Sequence, residues 1–180
     1  MKDKLAKLSI QEKDEKSFTI NTKLNDLVTE LKSQIKKEDV SVIGLFAPLK
    51  DEVNFKEFRR LIKDKWQLSF PYSEGGSMDF RKSAFEELEE STVFGVKIKT
   101  PTEDSERVIP DILCIPGLAF DRQGTRMGRG KGFYDKYLHQ FNGVKVGVCF
   151  SEQIINNVPK EDHDVLVDYV VSESGIYRAA

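Results

Sequence analysis

Between Ser9 and about Lys36, apolar side chains recur at Ile20, Leu24, Leu27, Val28, Leu31 and Ile35, a spacing of three and four that lines one face of a long helix. Ser9 and Glu12 at its start have capping-box spacing, in which each side chain takes a backbone N–H that the first turn leaves unsatisfied. The pattern then changes period. Val40 to Phe46 is short, mainly apolar and β-branched, as a buried strand is, and Pro48 ends it. Asn54 and Glu57 are spaced to cap a second helix with Phe55, Phe58, Leu61 and Ile62 on its apolar side. Leu68 to Phe70 reads as a strand stopped by Pro71, Gly75 and Gly76 as a turn, and Met78 to Arg81 as a short strand after it.

The acidic group Glu86, Glu87, Glu89 and Glu90 reads as the solvated face of a helix. After a polar connection from Pro101 to Arg107, Ile112 to Ile115 is a second buried strand, followed by Pro116 and Gly117. A glycine-rich stretch leads into a helix from about Phe133 to Phe141, and Val144 to Phe150 and Tyr169 to Val171 read as two more strands. Strands alternating with helices predict an α/β fold on a mainly parallel, doubly wound sheet, which takes ligands at the carboxyl ends of its strands. With 180 residues and no internal repeat, a single domain over 1–180 is expected.

Composition narrows the function classes. The 28 Lys plus Arg stand against 30 Asp plus Glu, a net charge of -2, whereas a general nucleic-acid or membrane-surface binder needs basic surface in bulk. The longest mainly apolar stretch, Val40 to Leu49, is about half of the roughly 20 residues that span a bilayer. The N-terminus alternates Lys with Asp and Glu instead of opening on an apolar leader, so a cytoplasmic protein without nucleic-acid or membrane partners is expected. Cys114 and Cys149 sit inside apolar segments with no neighbour at metal-ligand spacing, which assigns both to the core.

Basic charge is concentrated in one place. Asp121 to Lys136 carries five basic and two acidic side chains, with glycines at 124, 128, 130 and 132 interleaved with Arg126, Arg129 and Lys131, between a predicted strand and a predicted helix. Glycine can take positive φ and bring backbone N–H groups close to an anion, Arg can fork onto phosphate oxygens, and Lys supplies a movable charge. The segment is neither a Walker A loop nor a dinucleotide fingerprint: Lys131 is not followed by Ser or Thr, and Asp135 stands where the fingerprint needs Gly or Ala. It describes either a polyphosphate cradle or a structural turn with solvated basic side chains. Asp135, in the first helical turn beyond it, suits either the helix dipole or a Mg²⁺ held jointly with phosphates, and Asp164 is a second candidate for that ion.

The run Pro116-Gly117-Leu118-Ala119-Phe120-Asp121, then Gly124, then Arg126-Met127-Gly128-Arg129-Gly130-Lys131-Gly132-Phe133-Tyr134-Asp135 resembles the 5-formyltetrahydrofolate cyclo-ligase (methenyltetrahydrofolate synthetase) family. Weaker echoes extend the likeness over nearly the whole chain: Leu8-Ser9, Asp51-Glu52-Val53, Phe94-Gly95-Val96, Glu152-Gln153, and His163-Asp164 followed by Asp168. The resemblance implies a three-layer α/β/α fold and an ATP- and Mg²⁺-dependent ring closure of 5-formyltetrahydrofolate to 5,10-methenyltetrahydrofolate, by a monomer whose partners are these small molecules. It places Arg126, Gly128, Arg129, Gly130, Lys131, Gly132, Phe133 and Tyr134 on the nucleotide. It places Ala47, Glu52, Phe94, Arg129 and Phe133 on the folate, with Asp135 and Asp164 on Mg²⁺. Arg129 and Lys131 are then the candidate catalytic residues. The alternatives are a folate- or nucleotide-binding homologue without turnover, and a phosphosugar or coenzyme A enzyme of related fold.

Overall fold

The computed structural model describes residues 2–34, 41–93, 95–161 and 164–179. A short helix α1 (Lys2–Ala6) precedes the long helix α2 (Ile10–Gln34). The expected capping box starts α2: the Ser9 N–H and hydroxyl donate to Glu12 Oε2 at 2.8 and 2.7 Å, and the Glu12 N–H donates to Ser9 Oγ at 3.2 Å. Ile20, Leu24, Leu27, Val28 and Leu31 are buried, as their spacing predicts; Ile35, Lys36 and Val40 lie outside the described residues.

An eight-stranded mixed sheet follows. In chain order its strands are β1 (Val42–Gly44), β2 (Gln67–Glu74), β3 (Ser77–Lys82), β6 (Arg107–Val108), β7 (Ile112–Ile115), β10 (Val144–Val148), β11 (Tyr169–Ser172) and β12 (Gly175–Arg178). Two hairpins stand apart from it, β4 (Glu89–Val93) with β5 (Val96–Thr100) and β8 (Ala119–Phe120) with β9 (Arg126–Met127). The spatial order is β12-β11-β10-β7-β1-β2-β3-β6; the five strands from β11 to β2 are parallel, and β12, β3 and β6 add antiparallel edges.

Both faces of the sheet are covered, which explains why β7 is a continuous apolar run. Alternate side chains leave a strand on opposite faces. Ile112 and Cys114 join the cluster made with α2 and the helix α3 (Lys56–Ile62), where Phe58 is fully buried. Leu113 and Ile115 join the opposite cluster with Phe120, Phe141 and Leu138 of the helix α4 (Phe133–Leu138). Helices therefore flank the mainly parallel sheet on both sides. Cys114 and Cys149 are free and buried within these clusters, and burial pushes both thiols up in pKa.

Four sequence expectations are corrected. Pro71 does not stop β2, which continues to Glu74. Beyond Ser69 the strand has lost β1 as a neighbour and pairs with β3 alone; the side of Pro71 that lacks an N–H faces Thr100, whose hydroxyl donates to the Pro71 carbonyl at 3.0 Å. The four glutamates from 86 to 90 are not a helix face. Glu86 and Glu87 belong to a 3₁₀ turn and Glu89 and Glu90 open β4, because the β-branched residues that follow draw the segment into a hairpin. Asn54 Oδ1 does accept the N–H of Lys56, the first residue of α3, at 3.2 Å, but Glu57 does not complete a capping box and pairs with Arg60 at 2.5 Å instead. The last helix ends at Leu138, short of Phe141.

Asn54 has a larger task than a cap. Its N–H donates to Ser17 Oγ at 3.3 Å, its carbonyl accepts from Asn21 Nδ2 at 2.9 Å, and its own Nδ2 donates to Asp14 Oδ1 at 2.9 Å. Three polar residues of α2 thus pin the far end of the loop that leaves β1.

Candidate functional site

Phe46 and Ala47 follow β1, Pro71 lies in β2, and Pro116 and Gly117 follow β7; together they floor a cavity of about 340 Å³. This is the carboxyl side of the parallel strands, where the fold class places ligands. Val93, Val96 and Ile98 of the β4–β5 hairpin form one wall, and the basic glycine segment forms the other.

Each wall is built locally. After Ala47 the chain turns so that the Glu52 N–H donates to the Leu49 carbonyl at 3.0 Å, while the Leu49 N–H donates to Glu52 Oε2 at 2.9 Å. The side chain of Glu52 is therefore locked inward, only 7% exposed. On the opposite side, β8 and β9 close a tight hairpin around Asp121. Its Oδ1 accepts the N–H groups of Gln123 and Thr125 at 3.0 and 2.9 Å, and its Oδ2 accepts that of Val158 at 3.0 Å. Gly124 takes φ 87° at the hairpin tip, where an added Cβ would sit 2.3 Å from the Val167 carbonyl oxygen. Gln153 pins the Pro116-Gly117 bend, accepting from the Phe150 N–H at 2.9 Å and donating to the Gly117 carbonyl at 2.7 Å.

From this rigid base, residues 128 to 132 emerge as an open loop. Gly130 and Gly132 have φ 82° and 70°, and a Cβ at either would meet nothing within 4 Å. The glycines of the segment therefore divide in function: Gly124 is required by packing, and Gly130 and Gly132 by backbone conformation beside the cavity.

The cavity brings together Ala47, Glu52, Arg126, Gly128, Arg129, Lys131, Gly132, Phe133, Tyr134 and Asp135. Gly130 is in the loop but not among the lining residues, and Phe94 lies outside the described residues. Asp164 is not in the lining either; its N–H donates to the Glu161 carbonyl at 3.0 Å and its Oδ2 accepts from the Glu161 N–H at 2.8 Å. Two of the segment's basic residues also point elsewhere. Arg122 stacks on Tyr177, 4.9 Å from the ring centre, and Lys136 is exposed on α4.

Of the four basic side chains that line the cavity, Lys99 comes from the β4–β5 hairpin and the three from the glycine segment differ in setting. Arg126 is 5% exposed, donates to the Pro116 carbonyl at 3.2 Å and forms an ion pair with Asp135, so it braces the loop from below. Arg129 reaches across the cavity, with Nη2 at 3.0 Å and Nε at 3.2 Å from Glu52 Oε1, and Nη2 at 3.5 Å from Asp51 Oδ1. Lys131 is exposed at the lip. The Tyr134 hydroxyl is buried beside them without a hydrogen-bond partner among the described residues, and burial, reinforced by Glu52, raises its pKa.

Burial also raises the Glu52 carboxyl, and the Leu49 N–H and Arg129 offset this only in part. The folded protein therefore binds a proton at Glu52 more readily than the unfolded chain does, and the ionised carboxylate costs stability wherever the unfolded glutamate is already charged. Gln loses one of the two acceptor oxygens that Leu49 and Arg129 use, a cost that does not vary with pH, whereas the penalty of the ionised carboxylate grows as pH rises above the ordinary glutamate value of about 4.3. The melting temperature of Glu52→Gln should therefore move upward relative to that of the unaltered protein as pH rises from below this value toward neutrality, which paired thermal melts across pH would show.

The 5-formyltetrahydrofolate cyclo-ligase family model matches residues 1–173. A probable 5-formyltetrahydrofolate cyclo-ligase of Schizosaccharomyces pombe is 31% identical over 112 residues, 52% of this chain and 55% of that protein. The 5-formyltetrahydrofolate cyclo-ligase of Mus musculus is 45% identical over 69 residues, 35% of this chain and 34% of that protein. Against both, the chain spans about half or less of the relative's own length. Among solved structures, the 5,10-methenyltetrahydrofolate synthetase of Aquifex aeolicus superposes with a TM-score of 0.81 at 30% identity, covering 98% of this chain and 88% of that one. A Mycoplasma pneumoniae structure shares the fold, with a TM-score of 0.73 at 24% identity over 95% of this chain and 93% of its own. Among the described residues, no helix is long and apolar enough to cross a membrane.

Proposed function

Because the chain belongs to the 5-formyltetrahydrofolate cyclo-ligase family, we propose that it closes 5-formyltetrahydrofolate to 5,10-methenyltetrahydrofolate at this cavity, converting ATP to ADP and phosphate. The observation that carries the proposal is the meeting, in one cavity, of a basic glycine loop with a buried carboxylate on the facing wall.

The two ends of the cavity suit the two substrates. An inward-locked carboxylate accepts the adjacent N–H donors of a pterin ring, and the apolar wall of Val93, Ile98 and Met78 packs against its faces. On the other side, Arg129, Lys131 and the open glycine backbone receive the triphosphate. In the reaction the formyl oxygen attacks the γ-phosphorus of ATP and takes its phosphoryl group, and the bond to the β,γ-bridging oxygen breaks as ADP leaves. The N10 lone pair then attacks the formyl carbon, N10 gives up its proton to solvent, and the carbon–oxygen bond breaks as phosphate leaves with that oxygen. Phosphoryl transfer asks the protein chiefly to align the groups and neutralise charge, which is what cations on a short loop over a dry floor can do.

Asp135 fits a divalent ion. Its carboxylate lines the cavity and is 50% exposed while Arg126 holds one of its oxygens, and Mg²⁺ is commonly held by one or two carboxylates together with substrate phosphates. Asp164, the other carboxylate considered for the ion, is not among the residues that line the cavity, so the fit rests on Asp135. Bound there, the ion would neutralise phosphate charge during transfer.

The test is the ultraviolet absorbance of the methenyl product. Appearance of that band only when 5-formyltetrahydrofolate, ATP and Mg²⁺ are all present supports the ligase. Ligand-dependent thermal stabilisation without the band would replace it with a binding protein that lacks turnover.

A further inference from the structure

Glu52 offers its two carboxylate oxygens to different partners. Oε2 is committed to the Leu49 N–H, part of the turn that locks the side chain inward, whereas Oε1 receives both contacts from Arg129. A donor that enters the cavity toward Oε1 therefore competes with Arg129 for that atom. The guanidinium has a second neighbour, Asp51, but that contact is longer, 3.5 Å, and lies at the half-exposed rim, where an ion pair is weak.

We propose that Glu52 is a positioning residue for Arg129, and that the pterin of the reduced folate takes Oε1 from the guanidinium, so that folate and nucleotide bind with positive coupling. The inference rests on the substrates assigned above. A carboxylate that is 7% exposed and loses its cationic partner takes another donor or a proton in its place. When pterin N–H groups replace Arg129, the guanidinium keeps only the rim contact to Asp51 and is released to the phosphates, which fit its fork. In the other direction, a triphosphate that draws Arg129 away leaves Glu52 seeking donors, so each ligand prepares the site for the other to the same degree.

Titration calorimetry with a non-hydrolysable ATP analogue and Mg²⁺, with and without saturating 5-formyltetrahydrofolate, tests this. In the unaltered protein the analogue should bind at least about fivefold tighter when folate is present, and folate should gain by the same factor from the analogue. Arg129→Lys keeps the charge but loses the fork, and the factor should fall to near one. Asp51→Asn is the control for charge alone: it should tighten the analogue equally with and without folate and leave the factor intact. A factor of one or less in the unaltered protein, or an unchanged factor in Arg129→Lys, overturns the proposal. So does loss of the factor in Asp51→Asn, since Glu52 would then not be the exchanged partner. The absorbance assay separates the failures: turnover without coupling leaves the cyclo-ligase reading standing, while absence of both turnover and folate binding removes both.

Discussion

Lys131→Ala is expected to lower turnover about 10²- to 10³-fold, the range seen when one well-placed charge donor is removed from a transition-state site. Its folding should hardly change. Lys131 is exposed at the cavity lip, and substitutions in such settings usually stay within about 0.5 kcal/mol, or about 2 °C in melting temperature for a chain of this size. Steady-state rates alongside a thermal melt decide it. A loss of activity matched by a loss of stability would make Lys131 part of the scaffold, and full activity would take it out of the chemistry. Arg129 makes a poorer first variant, because its contacts to Glu52 and Asp51 mix catalysis with the arrangement of the empty cavity.

Asp121→Ala should produce the reverse profile. Asp121 is 1% exposed, and its carboxylate accepts three backbone N–H groups, from Gln123, Thr125 and Val158. Removing it orphans three donors, each costing about 1–3 kcal/mol when buried. A loss of about 3 to 5 kcal/mol is expected, and with it roughly 10 °C or more in melting temperature. Asp121→Asn should recover only part, since an amide has one acceptor oxygen where the carboxylate uses two. Activity measured well below the melting point should survive better than in Lys131→Ala, because Asp121 does not line the cavity. A melt unchanged by Asp121→Ala would mean that the hairpin does not depend on this carboxylate.

These two residues lie ten positions apart in one motif, and the sequence pattern does not separate them. Both stand in a polar, glycine-rich run. Only the hairpin of β8 and β9 turns Asp121 inward against the 158 backbone and carries Lys131 to the cavity. Arg126 and Arg129 divide the same way, one a buried brace for Asp135 and the other a bridge to Glu52. Asn54 shows the same limit: its spacing to Glu57 reads as a local cap, whereas its partners on α2 are 33 to 40 residues distant. Pro71 and the glutamates near 86 went astray because strand ends and hairpins are decided by which neighbours are still alongside, and that is not a local property.

Periodicity by itself determined the long helix, the buried strands and the alternation that makes an α/β sheet, because burying an apolar face at the helical or strand period is a local condition each segment meets with its own residues. Residue chemistry by itself located the anion-binding candidate, because clustering arginine, lysine and glycine in a chain of near-neutral charge is visible without coordinates. Tertiary structure decided which of those charges work and on what. Glu52 and Arg129, 77 positions apart, meet only because parallel strands bring their carboxyl ends to one side, and burial there raises the pKa of an ordinary glutamate while Arg129 favours its ionised form.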